Sequence, residues 1–96
     1  MVYLQASLKL RAGTLPQFIS LLNTLTPVLG KHGWKLLGSY ASVVGRLNTV
    51  VDFWELPDAS ALQAGMSDPE MAKFAPQISE IVEDETLALM TKLPIS

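Results

Sequence analysis

The sequence predicts an α+β domain in the order β-α-β-β-α-β, and three patterns carry the prediction. Val2, Leu4, Ala6, Leu8 and Leu10 alternate with Tyr3, Gln5, Ser7 and Lys9, the period of a strand. Leu15, Phe18, Leu22, Leu25 and Leu29 then recur at helical steps and mark one face of a helix. From Asn48 to Leu56 the alternation returns, and a proline follows it.

Arg11-Ala12-Gly13 ends the first strand, Val2 to Leu10. Thr14 is placed to cap the helix, with Pro16 in its first turn and Gln17 at the capping-box spacing. Pro27 lies inside this helix, where it removes the bond to the Asn23 carbonyl and should kink or weaken the last turns. Gly30 and Gly33 bracket the helix end. Trp34 to Val44 reads as the second strand and Asn48 to Leu56 as its antiparallel neighbour, joined by a hairpin around Gly45-Arg46-Leu47. Asp58 is a plausible cap for a short helix through Met66. Ser67-Asp68-Pro69-Glu70 restarts helix with a cap, a proline at the first position and an acid in the first turn, and Pro76 should stop it. Glu83 to Leu93 reads as the last strand. This order is the ferredoxin-like arrangement, whose two right-handed crossovers put both helical segments on one face of the sheet. The other face then needs a partner.

Composition agrees with an assembling domain. A chain of 96 residues is one domain, residues 1–96, yet 49% of it is hydrophobic and only 17% charged, more apolar area than a small monomer hides easily. The absence of cysteine leaves neither disulfides nor a thiol nucleophile. The first residues show no signal peptide, and no apolar run approaches the ~20 residues of a membrane span, so a cytoplasmic protein with no membrane partner is expected. A net charge of −2 with scattered cations argues against nucleic acid.

Leu8-Lys9-Leu10-Arg11-Ala12-Gly13 with Phe18, Lys31-His32-Gly33 with Gly38, Asn48 to Trp54-Glu55, and Ser67-Asp68-Pro69-Glu70 with Phe74 together resemble the NIPSNAP-type branch of the dimeric α+β barrel superfamily. The resemblance covers most of the chain. It implies a homodimer in which two open sheet faces enclose a barrel. It also implies a range of activities, from monooxygenases, isomerases and cyclases to haem-degrading enzymes, so the fold alone names none. Where the family pattern often carries a histidine two residues before the tryptophan, this chain has Asp52, and the role of that histidine does not transfer unchanged.

Six residues are candidates for a site. Asn48, Asp52 and Trp54 share one face of a strand, with Asp52 as a base and Trp54 as an aromatic wall; Glu55 should face the other way, toward the helices. Asp52 has a structural alternative, pairing with a neighbouring Arg or Lys or lying at the dimer seam. Regular alternation would give Trp34, Leu36, Gly38 and Tyr40 a common face, making Trp34 a second wall and Tyr40 a polar partner that orients a carbonyl. His32 is the only histidine, which excludes a histidine metal cluster within one subunit; it is a catalytic candidate at the pocket mouth, though its place at the helix end favours a structural role.

Two functions follow. One is an enzyme without cofactor or metal, of the proton-transfer isomerase or cyclase type or the monooxygenase type, acting on a small, largely apolar molecule inside the barrel. The other is a non-catalytic binding or assembly protein. A cavity of ~300 Å³ or more at Asp52 would favour the enzyme, and a packed barrel the assembly protein.

Overall fold

The computed structural model describes residues 1–95. Its elements are β1 (Val2–Leu10), α1 (Leu15–Gly30), β2 (Lys35–Ala41), β3 (Thr49–Leu56), α2 (Ser60–Met66), α3 (Pro69–Lys73), α4 (Ala75–Ile81) and β4 (Val82–Met90). The four strands form one antiparallel sheet in the order β2-β3-β1-β4. The connection through α1 therefore skips β3, and the connection through α2 to α4 skips β1, as the ferredoxin-like topology requires. Among the described residues no helix is long and apolar enough to cross a membrane.

The apolar face of β1 decides which side of the sheet is the core. Leu4, Ala6, Leu8 and Leu10 are all buried, and in the β1–β3 register Leu4 opposes Trp54, Ala6 opposes Asp52 and Leu8 opposes Val50. Two clusters fill the space beneath the helices. One joins Leu8, Leu10 and Val50 to Phe18, Leu21, Leu25 and Ile81; the other joins Leu4, Trp54 and Leu56 to Leu29, Trp34 and Ala61. The opposite face, with Tyr3, Gln5, Ser7, Val51, Phe53 and Glu55, is covered by no helix of this chain and its residues are half-buried.

Helix α1 presents a slightly different stripe from the expected one. Phe18, Leu25 and Leu29 are buried as expected, but Leu21 and Val28 complete the face, while Leu22 is half-buried and Leu15 is 40% exposed. Leu21 and Leu22 are adjacent and both fit a spacing of three and four, so periodicity alone did not choose between them. The capping box does not form. Thr14 is not in the extended conformation of a cap, and its hydroxyl donates to the Arg11 carbonyl at 2.7 Å. Pro27 leaves the helix running to Gly30, since both Pro27 and the carbonyl-bearing Asn23 face solvent, where water satisfies the freed group.

Three other boundaries move. Strand β2 ends at Ala41, and the Ser42 amide bonds to the Thr49 carbonyl at 2.9 Å, so Val43 and Val44 belong to a wide, exposed hairpin loop. Pro76 lies in the first turn of α4 and starts a helix instead of stopping one, because its missing N–H is one that a first turn does not use. Strand β4 covers Val82–Met90, one residue earlier at its start than expected and three shorter at its end.

The irregularity that matters most for function is in β2. Leu36 opposes Trp54, but Gly38 opposes Phe53 and Ser39 opposes Asp52, so Leu37 is an extra residue in a β-bulge. Everything after Leu37 changes sides. Ser39 and Ala41 turn toward the helices, while Gly38 and Tyr40 turn to the open face. There the Tyr40 ring lies over Gly38, where a Cβ would fall 2.7 Å from its hydroxyl, and meets Phe53 edge-on at 6.1 Å.

Candidate functional site

The strand face that carries Asp52 and Trp54 turns toward the helices, not toward the open side of the sheet. Asp52 is 3% exposed and lines a cavity of about 150 Å³ between sheet and helices. Ala6, Asp52, Trp54, Glu85 and Leu87 form the sheet side of that cavity, and Phe18, Leu22, Leu25, Met71 and Ile78 belong to its helical side. Asp52 and Trp54 thus line a cavity within the subunit and not the open sheet face that was expected to enclose a barrel. The cavity volume is half the ~300 Å³ at which ligand pockets ordinarily begin, and is the size of an apolar cavity that takes a single benzene-sized ring.

Asp52 keeps one polar partner, the Ser39 hydroxyl, which donates to Oδ1. Among the described residues no Lys, Arg or His pairs with it, which removes the ion-pair alternative within one subunit. Burial pushes its carboxyl above the usual carboxylate range, and the Ser39 bond only partly opposes the shift. Glu85 is pushed up as well, first by desolvation and then by the charge of Asp52. Desolvation outweighs the hydrogen bond at Asp52. The carboxyl is therefore suited to taking up a proton nearer neutrality than a free aspartate can.

Trp34 and Trp54 both line this cavity, with ring centres 5.4 Å apart and planes at 74°. The Trp34 indole N–H donates to the Ala61 carbonyl at 2.7 Å, fixing the ring beneath α2. A Cβ on Gly65 would lie 2.7 Å from that indole, so the close packing of α2 on Trp34 requires glycine there.

The remaining candidates lie elsewhere. Tyr40 is on the opposite sheet face from Asp52, 61% exposed, because of the bulge at Leu37. Asn48 leaves the strand: its φ is +57°, its carbonyl accepts the Leu10 amide at 2.7 Å, and its exposed side chain is in the hairpin loop. Glu55 opposes Tyr3 and Lys35 on the open face instead of approaching the helices. His32 does not line the cavity. Its Nε2 lies 2.7 Å from Oδ2 of Asp68, whose Oδ1 accepts the Glu70 amide at 2.8 Å and caps α3. The His32 contact, then the Glu70 amide, hold the Asp68 carboxyl below its usual range. Lys31 bonds Glu70 at 3.0 Å beside it. This cluster ties the end of α1 to the start of α3, the helix that carries Met71 to the cavity.

Sequence reading missed Ser39 and Glu85. Ser39 could have been found only by anticipating the bulge. For Glu85 the signal was present in the spacing of Glu85, Leu87 and Leu89, a single face of β4 that meets Leu8, Ala6 and Leu4 of the β1 core face.

These features define a ferredoxin-like α+β domain with an acid-lined cavity between its sheet and helices. The NIPSNAP family profile matches residues 3–96, and the chain belongs to that family. No curated protein sequence matches it. A NIPSNAP domain protein from Burkholderia xenovorans superposes with a TM-score of 0.82 at 22% identity, over 100% of this chain and 98% of that one. A NIPSNAP family protein from Agrobacterium tumefaciens gives 0.82 at 23% identity, over 100% and 91%. An antibiotic biosynthesis monooxygenase gives 0.73 at 20% identity, over 98% and 100%, which shows a shared fold.

Proposed function

We propose that this NIPSNAP protein is a homodimeric, cofactor-independent enzyme that transfers a proton on a small, neutral, largely apolar carbonyl compound held in the helix-covered cavity. Asp52 is the base, Ser39 orients it, and Trp34 and Trp54 wall the ring of the substrate. The observation that carries this reading is a buried carboxyl with no cation beside it, facing a cavity of about 150 Å³. A carboxylate left unpaired in apolar surroundings costs stability, and a proton-transfer role explains why it is kept.

A one-ring probe tests it. 3-Cyclohexenone, a β,γ-unsaturated ketone, should bind and be converted to its conjugated isomer, followed by ultraviolet absorbance, with amide shifts in the NMR spectrum confined to residues around Asp52, Trp34 and Met71. Absence of any such shift at millimolar ketone overturns the reading. The small volume of the cavity favours a second one, in which it is a packing gap and the chain is an assembly module.

The dimer rests on the open face, where Tyr40 and Phe53 pair among half-buried Val51 and Tyr3 with no helix above them. Sedimentation should give a dimer at micromolar concentration, and Phe53→Lys a folded monomer. A monomeric unmodified chain overturns the assembly.

A further inference from the structure

We propose that Glu85 is the second proton-handling group of the cavity, working with Asp52 from the other side of β1 so that one carboxyl removes a proton from carbon while the other gives a proton to the carbonyl oxygen. The inference rests on the ligand-binding reading above and names its missing acid. The β4 edge strand places Glu85 opposite Leu8, and β3 places Asp52 opposite Ala6, so the two acids stand on the same sheet face on either side of β1. Strands β3 and β4 are separated by two strand spacings, about 10 Å. The two acids are offset by two residues along β1, Ala6 standing beside Asp52 and Leu8 beside Glu85, and the single methyl group of Ala6 leaves room on the Asp52 side of the cavity.

Seven elements contribute to the lining: β1, β3, β4 and all four helices, with Trp34 from the turn before β2. Of all these residues only Asp52 and Glu85 titrate, and none is cationic. Two carboxyls in one apolar cavity with no counter-ion resist being ionised together, so desolvation, and with it the charge of Asp52, keeps Glu85 protonated to higher pH. Asp52 is the buried end and Glu85, an exposed residue of the edge strand, stands at the mouth and exchanges protons with solvent. The same charge pattern refuses carboxylate and phosphate ligands and accepts neutral carbonyl compounds.

The step balances without a co-reactant. Asp52 carboxylate takes the C2 proton of 3-cyclohexenone as the carbonyl oxygen receives the proton of Glu85, giving a neutral dienol, protonated Asp52 and ionised Glu85. Asp52 then returns its proton to C4 as Glu85 recovers the hydroxyl proton. The conjugated enone leaves, and both carboxyls are restored.

The test pairs Glu85→Gln, at a position exposed enough to tolerate the change, with Asp52→Asn; the pH dependence of isomerisation is followed in the first and the carboxyl-carbon NMR titration of labelled glutamate in the second. Glu85→Gln should lower the rate about 10²–10⁴-fold with loss of the alkaline limb of a bell-shaped profile, and removing the Asp52 charge should move the Glu85 midpoint to lower pH. Binding of 3-cyclohexenone by the unmodified protein together with an unmoved Glu85 midpoint in Asp52→Asn and an unchanged profile in Glu85→Gln overturns the pair but leaves the cavity reading standing. No binding by the unmodified protein overturns both.

Discussion

Asp52→Asn should abolish most of the proposed isomerisation of 3-cyclohexenone, by about 10²–10⁴-fold, while raising thermal stability at neutral pH. The two effects have one origin. Asparagine preserves the shape of the side chain and leaves an oxygen to accept the Ser39 hydroxyl, but cannot accept a substrate proton. For stability the sign follows from linkage. Burial raises the Asp52 carboxyl above its unfolded value, so the folded state binds the proton more tightly. The stabilisation is fully present below the ordinary aspartate range, and is lost as pH rises through the raised value. The variant has no such loss. Its melting temperature should therefore exceed that of the unmodified protein at neutral pH, and the gap should close in acid below the ordinary aspartate range. An aspartate held by a cation gives the opposite sign, since its removal leaves a charge uncompensated. Calorimetry across this pH range decides between them, and a variant that melts lower at neutral pH overturns the account of Asp52 as an unpaired buried acid.

Leu4→Ala should lower stability by roughly 2–5 kcal/mol, the range for truncating a buried leucine. Leu4 is 1% exposed, lies between Trp54 and Leu89 on neighbouring strands, and packs in the cluster that contains Trp34, Trp54 and Leu29. It also lines the cavity. The new space joins an existing void, so the neighbouring side chains have no way to close it without moving Trp54, and the loss should fall in the upper part of the range. For a domain whose total stability is on the order of 5–15 kcal/mol, that is a large share. The measurement is urea denaturation, and a change within 0.5 kcal/mol would mean that the second cluster collapses around the missing side chain.

The fold was legible because its long elements are strongly patterned. Strand β1 alternates along its length, and of the five residues that alternation selected all but the half-buried Val2 are in the core. The site was legible in part. Asp52, Trp34 and Trp54 were grouped together, but their surroundings were assigned to the wrong side of the sheet, since β3 has an acid on each face and offers no local clue. The clue is in the adjacent strand, in the uniformly apolar face of β1, which selects Asp52 for the core and leaves Glu55 outside. Ser39 and Tyr40 were misplaced for a different reason. A period of two carries no information across an inserted residue, and the one local sign of the bulge, the mid-strand Gly38 beside Leu37, was read as space beside an aromatic ring. His32 was placed at the helix end correctly, while its partner Asp68 was recognised only as a cap.

Leu37 makes the chemistry of β2 a matter of counting. With the bulge, a serine reaches the buried carboxyl and a tyrosine stays on the outer surface; in a regular strand of the same residues the phenol would point inward and the hydroxymethyl outward. Relatives of equal length that pair this strand without the bulge would present opposite side chains to the cavity even where their sequences align letter for letter. Their chemistry should be compared by strand register, because an alignment column here does not correspond to a position in space.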